Sequence, residues 1–186
     1  MAITKVTSDV LDVSVPTFKT FGTDSIMIGD STTGTIDAAN YNTGVGVDVF
    51  AALTTGDFNT AVGYKALEDN TSGARNTGVG RLSIGNNTTG SYNTGIGYSS
   101  LAVNTTADYN TALGYGTLAV NTTGTQNVAV GSNSLDANTT GDYNVGVGYD
   151  ALSSNTTADS NTAIGFKALL TNTTGHSNVA MGDSAL

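Results

Sequence analysis

The chain has no cysteine, no tryptophan, one proline and one histidine in 186 residues. Without cysteine there is neither a disulfide framework nor a thiolate metal site, and the redox compartment leaves no mark. Charge is scarce too. Charged residues make up 11% of the chain, against roughly 25% in an ordinary soluble domain. Six Lys and Arg face fifteen Asp and Glu, for a formal net charge of −9. That excludes nucleic acid, which needs a basic surface, and it excludes an anionic membrane. The carboxylates themselves name no partner and are read as a solvated surface. No apolar run is long enough to span a bilayer. Met1-Ala2-Ile3-Thr4-Lys5 lacks the apolar core of a secretion signal, so a protein working outside a cell is expected to leave by lysis or as part of a particle.

What is abundant is Gly, Thr, Asn and Ser, and their order is periodic. A seventeen-residue unit beginning at Asn recurs without insertion or loss, at Asn42, Asn59, Asn76, Asn93, Asn110, Asn127, Asn144, Asn161 and Asn178. A tandem array this strict predicts a solenoid. The fifth position is Gly in every copy, including Gly46, Gly63, Gly80, Gly97, Gly114, Gly131, Gly148 and Gly165. Either the backbone there has positive φ or another backbone lies too close for a Cβ. The third position is Gly, Ala or Met27, so one side of the predicted strand is almost bare. Alternation puts Tyr92, Thr94, Ile96 and Tyr98 on the other side, then Tyr109, Thr111, Leu113 and Tyr115, and later Tyr143, Val145, Val147 and Tyr149.

Further along the unit a second short strand is expected, centred on Leu67, Leu101, Leu118, Leu135, Leu152 and Leu169, with the Leu column in the core. An Asn-Thr-Thr-Gly turn closes the unit, as at Asn87 to Gly90. Its Asn and Gly are expected to supply left-handed backbone conformations. Helices are disfavoured because Gly interrupts every candidate segment. The fold class is therefore all-β, a parallel β-solenoid whose coils stack at about 4.8 Å into a rod roughly 45 Å long, with Asn ladders along it. Only a Val or Ile and a Leu per coil are reliably apolar. A lone rod would leave the Tyr file exposed, so a homotrimer is expected, with Tyr92, Tyr98, Tyr109, Tyr115, Tyr143 and Tyr149 at the subunit interface.

Residues 1–24 stand outside the array. Val10 to Val15 has partial strand alternation, Pro16 interrupts pairing, and Thr17-Phe18-Lys19-Thr20-Phe21 carries its aromatics on one parity. The segment is read as an attachment arm that pairs with a partner or with other copies. Residues 25–41 copy the motif loosely and read as a degenerate capping coil, and residues 42–186 are the repeat array. The array stops midway through a unit at Ser184-Ala185-Leu186 without a visible cap, so a further region is expected to follow.

Catalysis finds no foothold, and no enzyme activity and no cofactor are expected. His176 falls in the variable place after the turn, and one exposed histidine makes no triad. Asp142 and Asp159 share a column with Asp57 and Asp108, yet calcium needs six or more oxygens. They read as solvated turn aspartates, and no metal site is assigned. The Asn-Thr-Thr sequons are read as turn chemistry rather than glycosylation sites. Thr105-Thr106 and Thr122-Thr123 turn to different sides, which weakens an ice-binding reading.

The unit Asn59 to Leu67 followed by Asn-Thr-Thr-Gly resembles repeats of tailed-bacteriophage fibre and appendage proteins. It is also similar to the head repeats of trimeric autotransporter adhesins, which implies a left-handed β-roll in a trimer. The leader beginning Met1-Ala2-Ile3-Thr4-Lys5 resembles phage-fibre N-termini that dock onto a virion. The resemblance implies a virion fibre or appendage, anchored through residues 1–24 to another virion protein and contributing to host adhesion, with a host-surface glycan as a further partner. A bacterial surface adhesin and a monomeric ice- or glycan-binding solenoid are the alternatives.

Overall fold

The computed structural model describes residues 17–21, 25–29 and 38–186. Eleven strands form one sheet in sequence order. They are β1 (Thr17–Phe21), β2 (Ser25–Gly29), β3 (Thr43–Gly46), β4 (Thr60–Val62), β5 (Thr77–Val79), β6 (Thr94–Ile96), β7 (Thr111–Leu113), β8 (Val128–Val130), β9 (Val145–Val147), β10 (Thr162–Ile164) and β11 (Val179–Met181). From β2 onward every pairing is parallel and offset by one repeat, so Thr94 pairs with Thr111 and Ile96 with Leu113. This is the expected parallel β-solenoid of seventeen-residue coils. One assignment in the leader changes. Thr17–Phe21 pairs antiparallel with the chain's own β2, Phe21 opposite Ser25, instead of waiting for a partner. Val10 to Pro16 and residues 30–37 of the capping coil lie outside the described residues.

Each coil holds one strand, not two. The stretch around the Leu column is a turn in which two alternate residues are left-handed. Ser99 and Leu101 have φ of 51° and 55°, and the pattern repeats at Lys65 and Leu67, Leu82 and Ile84, and Asp150 and Leu152. The residue before each ladder Asn is left-handed as well, including Tyr92, Tyr109 and Tyr143 at 58–60°. Such conformations cost an L-residue about 1–2 kcal/mol, most for a branched side chain such as Ile84. What offsets the cost is pairing between coils. Ser99 N–H donates back to Arg81 O, and Leu101 N–H donates forward to Thr117 O. A strand running straight through would satisfy the same groups but could not close a coil in seventeen residues.

The core follows from this geometry. The third position faces inward, with Ala61, Ala112, Ala129 and Ala163 fully buried. It packs against the column of Phe50, Leu67, Ile84, Leu101, Leu118, Leu135 and Leu152, all fully buried. Bare residues are required there. A Cβ on Gly95 would meet Ile84 Cγ1 at 2.7 Å and Ser83 Oγ at 2.8 Å. Of the two apolar columns read from the sequence, only Leu lies inside. The Val and Ile of the fourth position point outward, and Ile96 is exposed. The fifth-position glycines meet both requirements raised by the sequence. Gly97 has φ of 132°, and a Cβ on it would overlap the carbonyl of Gly114 in the next coil.

Two buried amide ladders run the length of the stack. In the first, Asn59 N–H donates to Asn42 Oδ1 at 2.8 Å, and Asn76, Asn93, Asn110, Asn127, Asn144 and Asn161 repeat the bond at 2.9 Å. Each Nδ2 meanwhile donates to a carbonyl fourteen residues on, as Asn110 does to Gly124 O at 2.8 Å. Ser25 starts the ladder, its Oγ accepting Asn42 N–H at 2.9 Å. The second ladder is made by the Asn of the Asn-Thr-Thr turn. Asn104 Nδ2 donates to Asn87 Oδ1 at 2.8 Å and to its own turn carbonyl, Ala107 O, at 3.0 Å. These Asn, and the Gly three residues later, do not have positive φ. The corner is held by side-chain amides, and the left-handed positions lie elsewhere in the coil. Leu53 replaces the Asn in the first full coil, where it is buried in the core.

Asn110→Ala removes the acceptor of Asn127 N–H and the donor to Gly124 O in a buried layer. It is expected to cost about 3 kcal/mol, read as a shift in the urea unfolding midpoint. At the left-handed seventh position, where Gly116 occurs naturally with φ of 61°, Ser99→Gly is expected to stabilise by about 0.5–1 kcal/mol. Gly97→Ala is expected to destabilise strongly in the same assay.

Candidate functional site

The outward side of the sheet is the surface on which the chain departs most from an ordinary soluble protein. Positions two and four of each strand face out, giving a strip of Thr and Val beside a strip of Val, Ile and Leu. Two aromatic columns flank these strips. One follows the fifth-position Gly and contains Tyr64, Arg81, Tyr98, Tyr115, Ser132, Tyr149 and Phe166. The other precedes the ladder Asn and contains Tyr41, Phe58, Arg75, Tyr92, Tyr109, Gln126 and Tyr143. Because the backbone repeats coil by coil, the rings stack. Tyr92 and Tyr109 lie 4.8 Å apart at 10°, Tyr41 and Phe58 4.8 Å at 9°, Tyr98 and Tyr115 5.2 Å at 10°. Their spacing is the rise of one coil.

All six tyrosines expected at a subunit interface therefore lie on one exposed face in two files. Tyr92, Tyr98 and Tyr149 are among its exposed members. Rings stacked this closely turn their faces to each other and their edges and hydroxyls outward. That suits close packing against another flat protein surface better than it suits stacking of a sugar.

The cations join the aromatic files. Arg75 sits between Phe58 and Tyr92, its Cζ 5.2 and 5.3 Å from the ring centroids. Arg81 sits between Tyr64 and Tyr98 at 5.6 and 5.2 Å, and its Nη1 donates to Tyr98 Oη at 2.9 Å. Lys65 and Lys167 lie over Tyr64 and Phe166. Each Lys and Arg of residues 38–186 thus lies against an aromatic ring, a cation–π contact that covers apolar surface. Strand alternation places Arg75 and Arg81 on the same level and the same side, since both flank β5.

Four acids occupy the column after the turn. Asp108 Oδ1 accepts Ser91 N–H at 2.6 Å, Asp142 Oδ1 accepts Thr125 N–H at 2.6 Å, and Asp159 Oδ1 accepts Asp142 N–H at 2.8 Å. The place after the turn, variable in the sequence, is therefore an acceptor position for the preceding coil. Asp57 fills it by accepting Asn40 N–H at 2.7 Å. His176 fills it too: its Nδ1 accepts Asp159 N–H at 2.9 Å while the ring stays exposed. Among the described residues, no three His, Asp or Glu side chains form a metal-holding group. The sequon asparagines Asn70, Asn87, Asn104, Asn121, Asn138 and Asn155 are fully buried in the second ladder. At the Thr corner, Thr105 Oγ1 donates to Thr122 O at 3.2 Å, while Thr106 is exposed.

No protein-family model, curated protein or solved structure matches the chain.

One acid is out of balance. Asp136 Oδ1 is buried without a hydrogen-bond partner. Desolvation, joined by the charge of Asp150, pushes its carboxyl above the ordinary carboxylate range against the pull of nearby backbone N–H groups. The folded chain therefore holds this proton to higher pH than the unfolded chain. Stability falls as pH rises from the ordinary carboxylate value through the raised one, and the penalty is full above it. Asp136→Asn is expected to raise the melting temperature at neutral pH, with the gain vanishing below about pH 3. Thermal scans of both proteins across that range check this.

Proposed function

We propose that the chain is a structural shaft element of a virion fibre or comparable surface appendage. Its work is mechanical and adhesive, with no catalytic step. The observation that carries this is the continuity of the stack. Apart from Leu53 in place of one turn Asn, and Phe50 and Ile84 in the Leu column, each coil adds the same buried amide pair, a core Leu and the same kind of inter-coil hydrogen bonds, so stability accumulates with coil number. The acidic, cation-poor surface suits work outside a nucleic-acid environment, and the flat aromatic face supplies contacts. The N-terminal segment, residues 1–24, makes the attachment to the particle, and several copies act together for avidity at a host surface.

The proposed assembly is a homotrimer in which copies meet through the aromatic face. The core gives a reason to look to that face. Its Leu column is already closed within one chain, so the unburied apolar surface lies in the two ring files and the strips between them. A contiguous apolar patch along a whole rod is larger than a monomer ordinarily exposes. Light scattering on the purified chain is expected to give three chain masses. The double substitution Tyr92→Ser and Tyr109→Ser is expected to give one, with an unchanged circular dichroism spectrum. A single chain mass for the unsubstituted protein overturns the trimer.

A further inference from the structure

Both aromatic files break at β5 and at β8, and the file that precedes the ladder Asn breaks again at Ser160, beside β10. At β5 the breaks are Arg75 and Arg81, whose guanidinium groups fill the two-coil gap between rings. At β8 they are Gln126 and Ser132. Ser132 ends at its hydroxyl and is too short to reach between Tyr115 on the level before and Tyr149 on the level after. Those rings are separated by two coil rises, about 9.6 Å, the interval that Arg81 spans between Tyr64 and Tyr98. Exposure records the difference. Tyr115 is 60% exposed, against 42% for Tyr98, the next ring in the same file, which is covered by Arg81 on one side.

The charge around the second gap is opposite to that around the first. From residue 82 to residue 166 the chain has no Lys, Arg or His and carries Asp108, Asp136, Asp142, Asp150 and Asp159. Asp150 follows Tyr149 directly in sequence, and Asn133 Nδ2 lies 3.4 Å from its Oδ1. Val130 belongs to the strand between the two files at this level.

We propose that the slot formed by Tyr115, Ser132 and Tyr149 is a binding site for an arginine side chain presented by a partner protein. The incoming guanidinium stacks between the two rings as Arg81 does one gap earlier, and its edge meets the Asp150 carboxylate. A planar cation fits on three counts: thickness, ring contact and charge. A lysine ammonium has the charge but not the plane, and a neutral sugar ring has neither. This inference rests on the reading of the aromatic face as a contact surface. It adds that the face is not uniform: contact between copies leaves the β8 slot open, and a different protein is recognised there.

The test is a titration of the full chain with N-acetyl-arginine amide, followed by the ring resonances of the tyrosines. With eight Tyr and no Trp, the aromatic region is simple enough to assign by single substitution. The expected result is saturable movement of the Tyr115 and Tyr149 signals. N-acetyl-lysine amide is expected to act several-fold more weakly, and methyl glucoside not at all. Ser132→Arg is expected to fill the slot from within, raise the melting temperature and abolish the response. Arg81 in the same column shows that the fold accepts that residue, and Ser132→Tyr, which continues the ring file, serves as a second blocking variant. The proposal is overturned by immobile ring signals, by an equal response to methyl glucoside or the lysine analogue, or by a response that survives both variants. Light scattering on the same sample separates the two readings. A single-chain protein that binds the arginine amide keeps the slot and loses the trimer, and a trimer with unresponsive rings does the reverse.

Discussion

The structure depends on one interaction, the buried side-chain amide that serves two backbone groups on neighbouring coils. A seventeen-residue coil is too small to hide its backbone behind side chains. At the ladder position an N–H and a carbonyl would be left in the interior, each costing on the order of 1–3 kcal/mol if unpaired. Asparagine answers both. Its Oδ1 takes the N–H of the next coil, and its Nδ2 reaches a carbonyl at the far corner. Aspartate lacks the donor, and glutamine is one methylene too long. Serine is shorter and reaches the carbonyl only at the limit of a hydrogen bond: at Ser25, where the ladder begins, Oγ accepts Asn42 N–H at 2.9 Å and donates to Ala39 O at 3.5 Å. The invariance of Asn along the array is a consequence of this double requirement.

Once the amides fix the spacing, the rest of the coil is constrained to repeat. Stacked copies must place identical groups one rise apart, and that turns each sequence column into a physical file. Inside, the file is Leu against Ala or Gly. At the corner it is a Thr hydroxyl donating to the next carbonyl, as Thr122 does to Thr139 O at 3.0 Å. Outside, it is ring on ring. The same constraint makes left-handed backbone tolerable at Leu101, because its N–H has a fixed partner in Thr117 O and its side chain a fixed place in the core. A single coil in isolation would not hold that conformation.

The solenoid, its period and its Asn ladder were legible in the sequence because they are periodic, and periodicity survives without knowledge of backbone angles. The outward grouping of Tyr92, Thr94, Ile96 and Tyr98 was legible for the same reason, since strand alternation fixes it. The second strand was misread because Leu is a poor residue for positive φ, and local preference pointed to an extended segment. Tertiary pairing overrode that preference. A signal was present: the seventh position holds Gly116, Asn133, Asp48 and Asp150, the residues that tolerate left-handed backbone best. In the turn the error ran the other way. Asn and Gly were credited with turn conformations, whereas Asn104 works through its amide and Gly90 leaves room for the Ala107 carbonyl of the next coil. Residue type alone does not separate these two uses.

A repeat this regular carries little positional information, and that bears on where recognition can reside. A partner sliding along identical coils meets the same Thr, Val and Gly at every step, so the constant columns give affinity without register. Register must come from columns that vary, and on the exposed face the two flanking files vary most. At two levels they change together: arginine on both sides of β5, Gln126 and Ser132 on both sides of β8. Between these levels the rings are continuous, and beyond Arg81 no cation appears until Lys167. The face thus has a basic level, an aromatic run and an acidic gap at fixed intervals along a rod that cannot bend to rearrange them. A partner that reads two of these levels at once is fixed in both position and direction. In this way a solenoid built from one repeated unit can still present an addressed site.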